Sequence, residues 1–465
     1  MSGVELGLAI FGTIDQCIKY GKIVVDKWKA FKGADQMIKE QTIIIEAIWL
    51  KVSLQLDFLK RIWESLDPNY KDLQERLLVI LQSRITGASL QLSKLEKQGP
   101  WDSNVPMKKK EALKYALLSR ESLNKLISEL QNWEKLFDPT WHLTSRMHNQ
   151  FIDMEFTRHS GAGRLSIERE VRSTLHSPRQ ASVFLPQRDL DQASRSPIQF
   201  SDSHVIDIHA GTEDVSIFMR HVRDLAQKLE KVDARLFHVL KCQGVVRVKD
   251  PLTKRVLSFD FIFHIPDGCF EPQSLRSHLY SMTCPSLNEK IELAKQLATS
   301  VNYVHVLDIV HKNTRPENAL LGNSVWAETT YQHPDRQGIH PSADYTMQHD
   351  IYSLGVCLLE IGLWESFVSS QGKIFPQAVN GEDPDPSAYI MEGSSLKDYY
   401  VVLANKHLST KMGEKYMHVV VNCLTCLDET NQDFGDQTEF EDNDGILIGV
   451  KYIEKILLLL SEISV

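Results

Sequence analysis

Residues 310–321 read VHKNTRPENALL, and residues 350–355 read DIYSLG. In the first stretch a polar, proline-containing run, His311 to Asn318, reads as a loop and gives way to the apolar residues Ala319, Leu320 and Leu321. The second stretch opens the apolar run DIYSLGVCLLEIGLW over 350–364, which predicts a helix buried in the core. Ahead of the loop, Ile291, Ala294, Leu297, Val301 and Val304 recur every three or four residues, so a long helix over 287–307 leads into it. A helix, a charged loop and a second, buried helix therefore organise the C-terminal half.

The chain has 465 residues, enough for more than one domain with a sizeable core in each. Apolar residues make up 42% and charged residues 24%, as in an ordinary soluble protein. The net charge of −9 gives no basic field for nucleic acid, and no nucleic-acid partner is expected. Seven cysteines follow no disulfide-framework spacing, which points to a reducing, cytoplasmic setting. Cys423 and Cys426 form a C-x-x-C inside the apolar run VVVNCLTCLD; with no second pair, a buried helix is the reading rather than a metal or redox site. No basic segment precedes the first apolar residues, so no secretory signal is expected. The run 446–465 carries Lys451, Glu454, Lys455 and Glu462 at helical spacing and reads as an amphipathic closing helix, not a membrane span.

Residues 1–150 read as helix almost throughout. A first helix spans about residues 4–31, with Leu6, Ile10, Ile14, Ile18, Val24 and Trp28 among its apolar positions. Gly3, Gly7 and Gly12 fall in its first turns, each costing about 1 kcal/mol of helix propensity against alanine. They suggest close helix approach, or a segment able to come loose and enter a membrane. A second helix, about 38–66, carries Ile45, Trp49, Val52, Leu56, Leu59 and Trp63 on one stripe, and Asp67-Pro68-Asn69 stops it. A third, about 70–95, repeats the pattern with Leu73, Leu77, Leu81, Ala88, Leu92 and Leu95. A fourth, about 107–137, carries Leu113, Leu117, Leu123, Leu126, Leu130 and Trp133, and Asp138-Pro139 is expected to close it. Four or five such helices with short polar joints specify a bundle.

Residues 151–212 change to Ser, Arg, Gln and His, with Pro178, Pro186 and Pro197 and short apolar clusters such as 182–185. This is a linker, or a worn start of a small sheet. Gly161-Ala162-Gly163 lacks a third glycine and a preceding strand, and reads as loop rather than phosphate cradle. A helix over 215–232 and strands over 237–246 and 256–264 follow. Helices are expected from 274–279, 396–407, 412–427 and 445–463. The acidic insert 428–444 fits the calcium-loop pattern poorly, and a solvated loop is the expectation.

The stretch 311–318 resembles the catalytic loop of eukaryotic protein kinases, H-R-D-x-x-x-x-N, and DIYSLG resembles their D-x-[WY]-S-x-G segment. Tyr331-Gln332-His333-Pro334-Asp335 resembles the point where the activation loop rejoins the large lobe. The N-terminal MSGVELGLAIFG segment and the bundle, followed by a kinase-like region, resemble the fungal HeLo-domain proteins of the prion-inhibition and propagation type. The two resemblances cover most of the chain. They imply a multidomain, mainly α protein: a helical bundle over 1–150, a linker or degenerate small-lobe start over 151–212, and an α+β kinase-like domain over 213–465 with its large lobe from about 270.

By the kinase resemblance, Asn313 stands where the catalytic Asp belongs, and an amide cannot accept the hydroxyl proton at neutral pH. Arg315 replaces the usual Lys, Asn318 is kept, and His311 and Asp350 hold structural roles. No Lys follows an alternating strand before residue 212, and no D-F-G occurs between Leu321 and Tyr331. The implied protein is a pseudokinase with no cofactor, ATP and Mg²⁺ entering only if an active kinase is present. The HeLo resemblance implies a cell-death effector of fungal incompatibility. Its membrane-active helix would carry Gly3, Leu6, Gly7, Ile10, Gly12 and Ile14. Its partners would be copies of itself and anionic membranes, or an upstream activator, with a cytoplasmic resting location and membrane association once activated. Two alternatives stay open: a Ser/Thr kinase with an atypical site, and a passive interaction scaffold.

Overall fold

A computed structural model describes residues 3–29, 36–98, 109–147, 149–158, 172, 183–186, 188–189, 212–254, 256–266, 273–281, 283–309, 314, 330–337, 345–368, 395–435, 440 and 445–463. Contacts divide the chain into two compact units, Met1–Ser166 and Ile167–Val465. The described residues are mostly helical, with one three-stranded sheet.

The first unit is built from α1 (Gly3–Lys29), α2 (Gln36–Ile62), α3 (Pro68–Gln98), α4 (Lys109–Leu143) and α5 (Gln150–Arg158). α1 and α4 each pack against α2 and α3, and α5 packs on α2. All six stripe residues of α2 and the single turn after it, from Ile45 to Trp63, are buried. So are Leu73, Leu77, Leu81, Ala88 and Leu92 of α3. Burying side chains of this size contributes roughly 1.5–3 kcal/mol each, which is what holds helices of this length together. The break between α2 and α3 falls at Asp67, whose Oδ1 accepts the N–H of Asn69 at 2.8 Å and of Tyr70 at 3.3 Å. Pro68 then occupies the first helical position, where no N–H is needed.

α4 does not end at Asp138-Pro139 as its sequence suggests; it runs through Pro139 to Leu143. Proline in a helix interior removes one bond and costs about 3 kcal/mol. Packing outweighs that here. Trp133, Phe137 and Trp141 are fully buried at i, i+4, i+8, with ring centroids 4.5 and 6.3 Å apart in sequence. Phe58 of α2 packs on Trp141 at 5.3 Å and on Phe156 of α5 at 4.5 Å. Thr140 Oγ1 donates to the Phe137 carbonyl at 2.7 Å and Tyr70 Oη to the Thr140 carbonyl at 2.7 Å, so hydroxyls bind carbonyls around the proline.

In the second unit, β1 (Phe184–Leu185) runs parallel to β2 (Lys241–Lys249), and β2 pairs antiparallel with β3 (Val256–His264). The apolar cluster 182–185 thus supplies a strand. The strand expected from 237 starts at Lys241 instead. Phe237 closes a helical turn, Ala234–Phe237, with its ring 4.3 Å from Tyr303, and His238 adopts a left-handed φ of 53°. Gly244 has a φ of 156°, and a Cβ there would lie 2.6 Å from the Leu185 side chain, so glycine lets β1 approach. α6 (Thr212–Glu230) covers this sheet through Val222, Ala226 and Leu229.

The rest of the second unit surrounds one helix. α7 (Leu275–Leu279), α8 (Leu287–Val306), α9 (Met347–Leu363), α10 (Leu396–Met412) and α11 (Glu414–Leu424) come in order. They are followed by α12 (Ile446–Tyr452), a π-helical turn (Ile453–Leu457) and α13 (Leu458–Ser461). Ser286 and Ser395 cap α8 and α10 with reciprocal bonds to Glu289 and Asp398. Every residue of α9 from Gln348 to Leu363 is buried. Two glycines one heptad apart let neighbours approach it. A Cβ on Gly355 would lie 2.8 Å from Cys423 Cβ of α11, and one on Gly362 2.6 Å from Leu408 of α10.

Candidate functional site

The residues 311–313 and 315–329 lie outside the described residues, and with them His311, Asn313, Arg315 and Asn318. Thr314 is described: it is buried, and its carbonyl accepts Cys357 Sγ of α9 at 3.8 Å. The candidate site is made of the described residues on either side of that stretch.

Asp350 sits in the first turn of α9, fully buried, where a carboxylate meets the positive end of the helix. Its Oδ2 lies 3.1 Å from His305 Nε2 at the end of α8, and its Oδ1 accepts Tyr345 Oη at 3.3 Å. Burial and the Asp350 charge push the Tyr345 phenol far above its ordinary value. Asp350 thus ties the end of the helix entering the loop to the start of the helix beyond it. Ser353 Oγ, one turn later, donates to the Tyr331 carbonyl at 2.7 Å and fastens the segment 330–337 to the same helix.

Glu360 lies farther along α9. Its Oε1 accepts Arg276 Nη1 of α7 at 2.8 Å, Tyr331 Oη at 2.8 Å and the Phe367 N–H at 2.7 Å. Arg276 also donates to Tyr331 Oη and Ser366 Oγ. The pair is almost wholly out of water, at 6% and 0% side-chain exposure. Burial raises the Glu360 carboxyl above its ordinary value, against the opposing pull of Arg276. Sequence analysis did not single out this node. Its one local signal was an acidic residue inside an otherwise apolar helix, which demands a partner but does not name one.

The acidic insert is an organised turn where it is described. Asp428 pairs with Lys397, and Asp433 pairs with Lys455 at 2.7 Å and accepts Asn422 Nδ2 at 3.1 Å. Asn431 Oδ1 accepts the N–H groups of Asp433 and Phe434, both at 2.9 Å. Among the described residues no group of three or more His, Cys, Asp or Glu is placed to hold a metal ion. Cys423 and Cys426 are fully buried; burial pushes both thiols far up, and Cys426 Sγ donates to the Gln348 carbonyl at 3.2 Å. Both act as packing residues of α11 and its C-terminal turn.

In the first unit, Gly3, Leu6, Gly7, Ile10, Gly12 and Ile14 all fall on α1. Ile10 and Ile14 are buried in the bundle. Gly12 faces open space: a Cβ there would meet nothing within 4 Å. The surroundings of Gly3 and Gly7 lie outside the described residues; at Gly21 a Cβ would overlap the Trp49 indole of α2, so the two helices approach closely there. A polar cluster joins α2 to α4. Lys51 Nζ binds Glu134 and Asp138, each at 2.7 Å, and Gln55 Nε2 donates to Asp138 Oδ1 at 3.3 Å. Burial, the largest influence, pushes the Asp138 carboxyl up against the pull of Lys51. The buried imidazole of His142 is pushed down to about 3 by burial and by Lys51. Among the described residues no helix is long and apolar enough to cross a membrane.

No protein-family model matches the chain, and no curated protein matches it.

Proposed function

We propose that the protein is a two-part signalling effector of the HeLo type, in which the helical bundle acts on anionic membranes under the control of a kinase-like unit that does not transfer phosphate. The observation that carries this reading is a contrast within the second unit. What supports it is a set of buried ties on α9, Asp350 with His305 and Tyr345, and Glu360 with Arg276 and Tyr331. The position that would supply the general base carries the amide of Asn313. A fold that keeps its framework without its proton acceptor serves as a scaffold or switch.

The bundle's part is a population shift. At rest the apolar stripe of α1, Ile10, Ile14, Val24 and Trp28, is packed inward. Release of α1 exposes that stripe to a bilayer and to other copies, and buried apolar area then drives insertion. A dye-release experiment tests this. Full-length protein added to phosphatidylserine-containing vesicles is expected to release dye with a steep dependence on protein concentration, and Leu6→Glu to suppress it. No release at any concentration, with α1 amides equally protected with and without vesicles, would remove the membrane role and leave the scaffold reading.

A further inference from the structure

Segment 330–337 meets the start of α9 through two histidines that the proposed function does not use. His333 and His349 are 5% and 2% exposed. Their rings pack edge to face with centroids 6.0 Å apart, and the His333 ring meets Tyr352 in the same way at 5.0 Å. Each ring uses Nδ1 as an acceptor: His349 from the Thr346 N–H at 3.0 Å, His333 from the Asp335 N–H at 3.3 Å. An accepting nitrogen carries no proton, so both neutral rings hold theirs on Nε2. Both Nε2 atoms are buried without a hydrogen-bond partner among the described residues.

The surroundings are charged on every side. Asp335 Oδ2 lies 3.1 Å from His333 Nδ1. The Arg336 guanidinium sits 5.5 Å over the Tyr345 ring, which is itself 5.0 Å from His349. Asp350 follows His349 in α9. Lys397 of α10 and Asp428 beyond α11 form an ion pair that also acts on His333.

We propose that His333 and His349 form an acid-released latch fastening segment 330–337 to the first turn of α9. A proton arriving at Nδ1 of either ring turns an acceptor into a donor facing a backbone N–H. At His333 the Asp335 carboxylate takes up the new N–H, a stronger acceptor than the Thr346 hydroxyl that lies 2.9 Å from His349 Nδ1, so this ring charges first and turns from the backbone to the side chain. The Asp335 N–H loses that acceptor, and the turn Pro334–Arg336 that it begins loosens. The charge on His333 repels a second proton at His349, which stays neutral and keeps the cap at Thr346 until lower pH.

Burial lowers His333 despite Asp335, and burial, His333 and Arg336 lower His349 to about 4. Both folded-state values lie below the ordinary imidazole value of 6.5. The stability the latch contributes is therefore complete above that pH and declines as the pH falls towards the folded values.

Hydrogen exchange of the full-length chain, corrected for intrinsic rates, tests this between about pH 7.5 and about pH 5. Peptides covering 330–337 and 345–353 are expected to lose protection roughly tenfold relative to α2 of the bundle, which serves as internal reference. The double variant His333→Asn, His349→Asn, which keeps an acceptor in place of each Nδ1, is expected to show no such loss. Unchanged relative protection in the wild type, or an equal loss in the double variant, would overturn the latch. Should the variant not fold, imidazole titration of the wild-type chain by NMR decides. Sequential midpoints below the ordinary value, the first tracking the loss of protection, support the latch, and a common midpoint at the ordinary value with the segment still protected contradicts it.

Discussion

The two units both bury charge, but they do so for different ends. In the bundle, Lys51, Glu134, Asp138 and Gln55 sit on two long, continuous helices whose register is already set by apolar stripes. In the second unit, Glu360 of α9 gathers α7 through Arg276, the segment 330–337 through Tyr331, and the chain beyond α9 through Phe367. The first cluster adds specificity to helices that would pack without it. The second is the joint itself, where pieces with little apolar periodicity are held to a central helix by hydrogen bonds and charge. Removing one partner should therefore cost more in the second unit than in the first.

The largest effect is expected from Arg276→Met. It leaves the Glu360 carboxylate buried without its counter-ion, a loss of roughly 3–5 kcal/mol. Denaturant unfolding of the second unit should report it, and Glu360→Gln in the same background should recover part of the loss. A cost below that of Lys51→Met would break the comparison.

Lys51→Met is expected to cost about 2 kcal/mol at neutral pH, because Asp138 keeps Gln55 and Lys51 is partly solvated. Asp138 already titrates above its ordinary value, and without Lys51 it rises further. A carboxyl raised by folding is most favourable in its protonated form, so the stability deficit of this variant should shrink as pH falls from 7 towards about 5. Calorimetric melting temperatures of variant and wild type across that range measure the sign. A deficit that grows on acidification would refute the assignment.

The glycines sharpen the picture at smaller scale. Gly21→Val would force a side chain into the Trp49 ring and should destabilise the bundle by roughly 1–3 kcal/mol, read as a lower denaturation midpoint. Gly12→Ala places its methyl in open space within a helix and should stabilise it by up to about 1 kcal/mol. If α1 must leave the bundle to act, that gain in helix propensity should not suppress vesicle leakage, because the released helix benefits as well.

The bundle was largely legible in the sequence because its signals are local. Stripes at intervals of three and four identify the faces of α2 and α3, and Asp67-Pro68 identifies the break between them. Pro139 misled for a physical reason: its local cost is real, but aromatic contacts at Phe58 and Phe137, far apart in sequence, outweigh it. In the second unit the apolar run of α9 announced a central helix. The polar node on it did not announce itself, since Glu360 and Arg276 are 84 positions apart and no periodicity relates them. His333 and His349 are equally silent in sequence, because the burial of an imidazole is a property of its surroundings. Composition suggested the calcium reading of the insert as one option; Lys397 and Lys455, from outside the insert, pair with Asp428 and Asp433.

The proposal at the centre of this reading is that the second unit is kinase-like in fold and does not transfer phosphate. Thermal unfolding of the full-length chain, titrated with ATP in the presence and absence of Mg²⁺, tests it most directly. A ligand that binds only the folded state at 100 times its dissociation constant stabilises by about 2.7 kcal/mol, which a melting curve resolves. The account predicts no Mg²⁺-dependent shift in the unfolding of the second unit. A shift that requires Mg²⁺, and that a non-hydrolysable ATP analogue reproduces, would mean that a complete metal–nucleotide site exists and would contradict it.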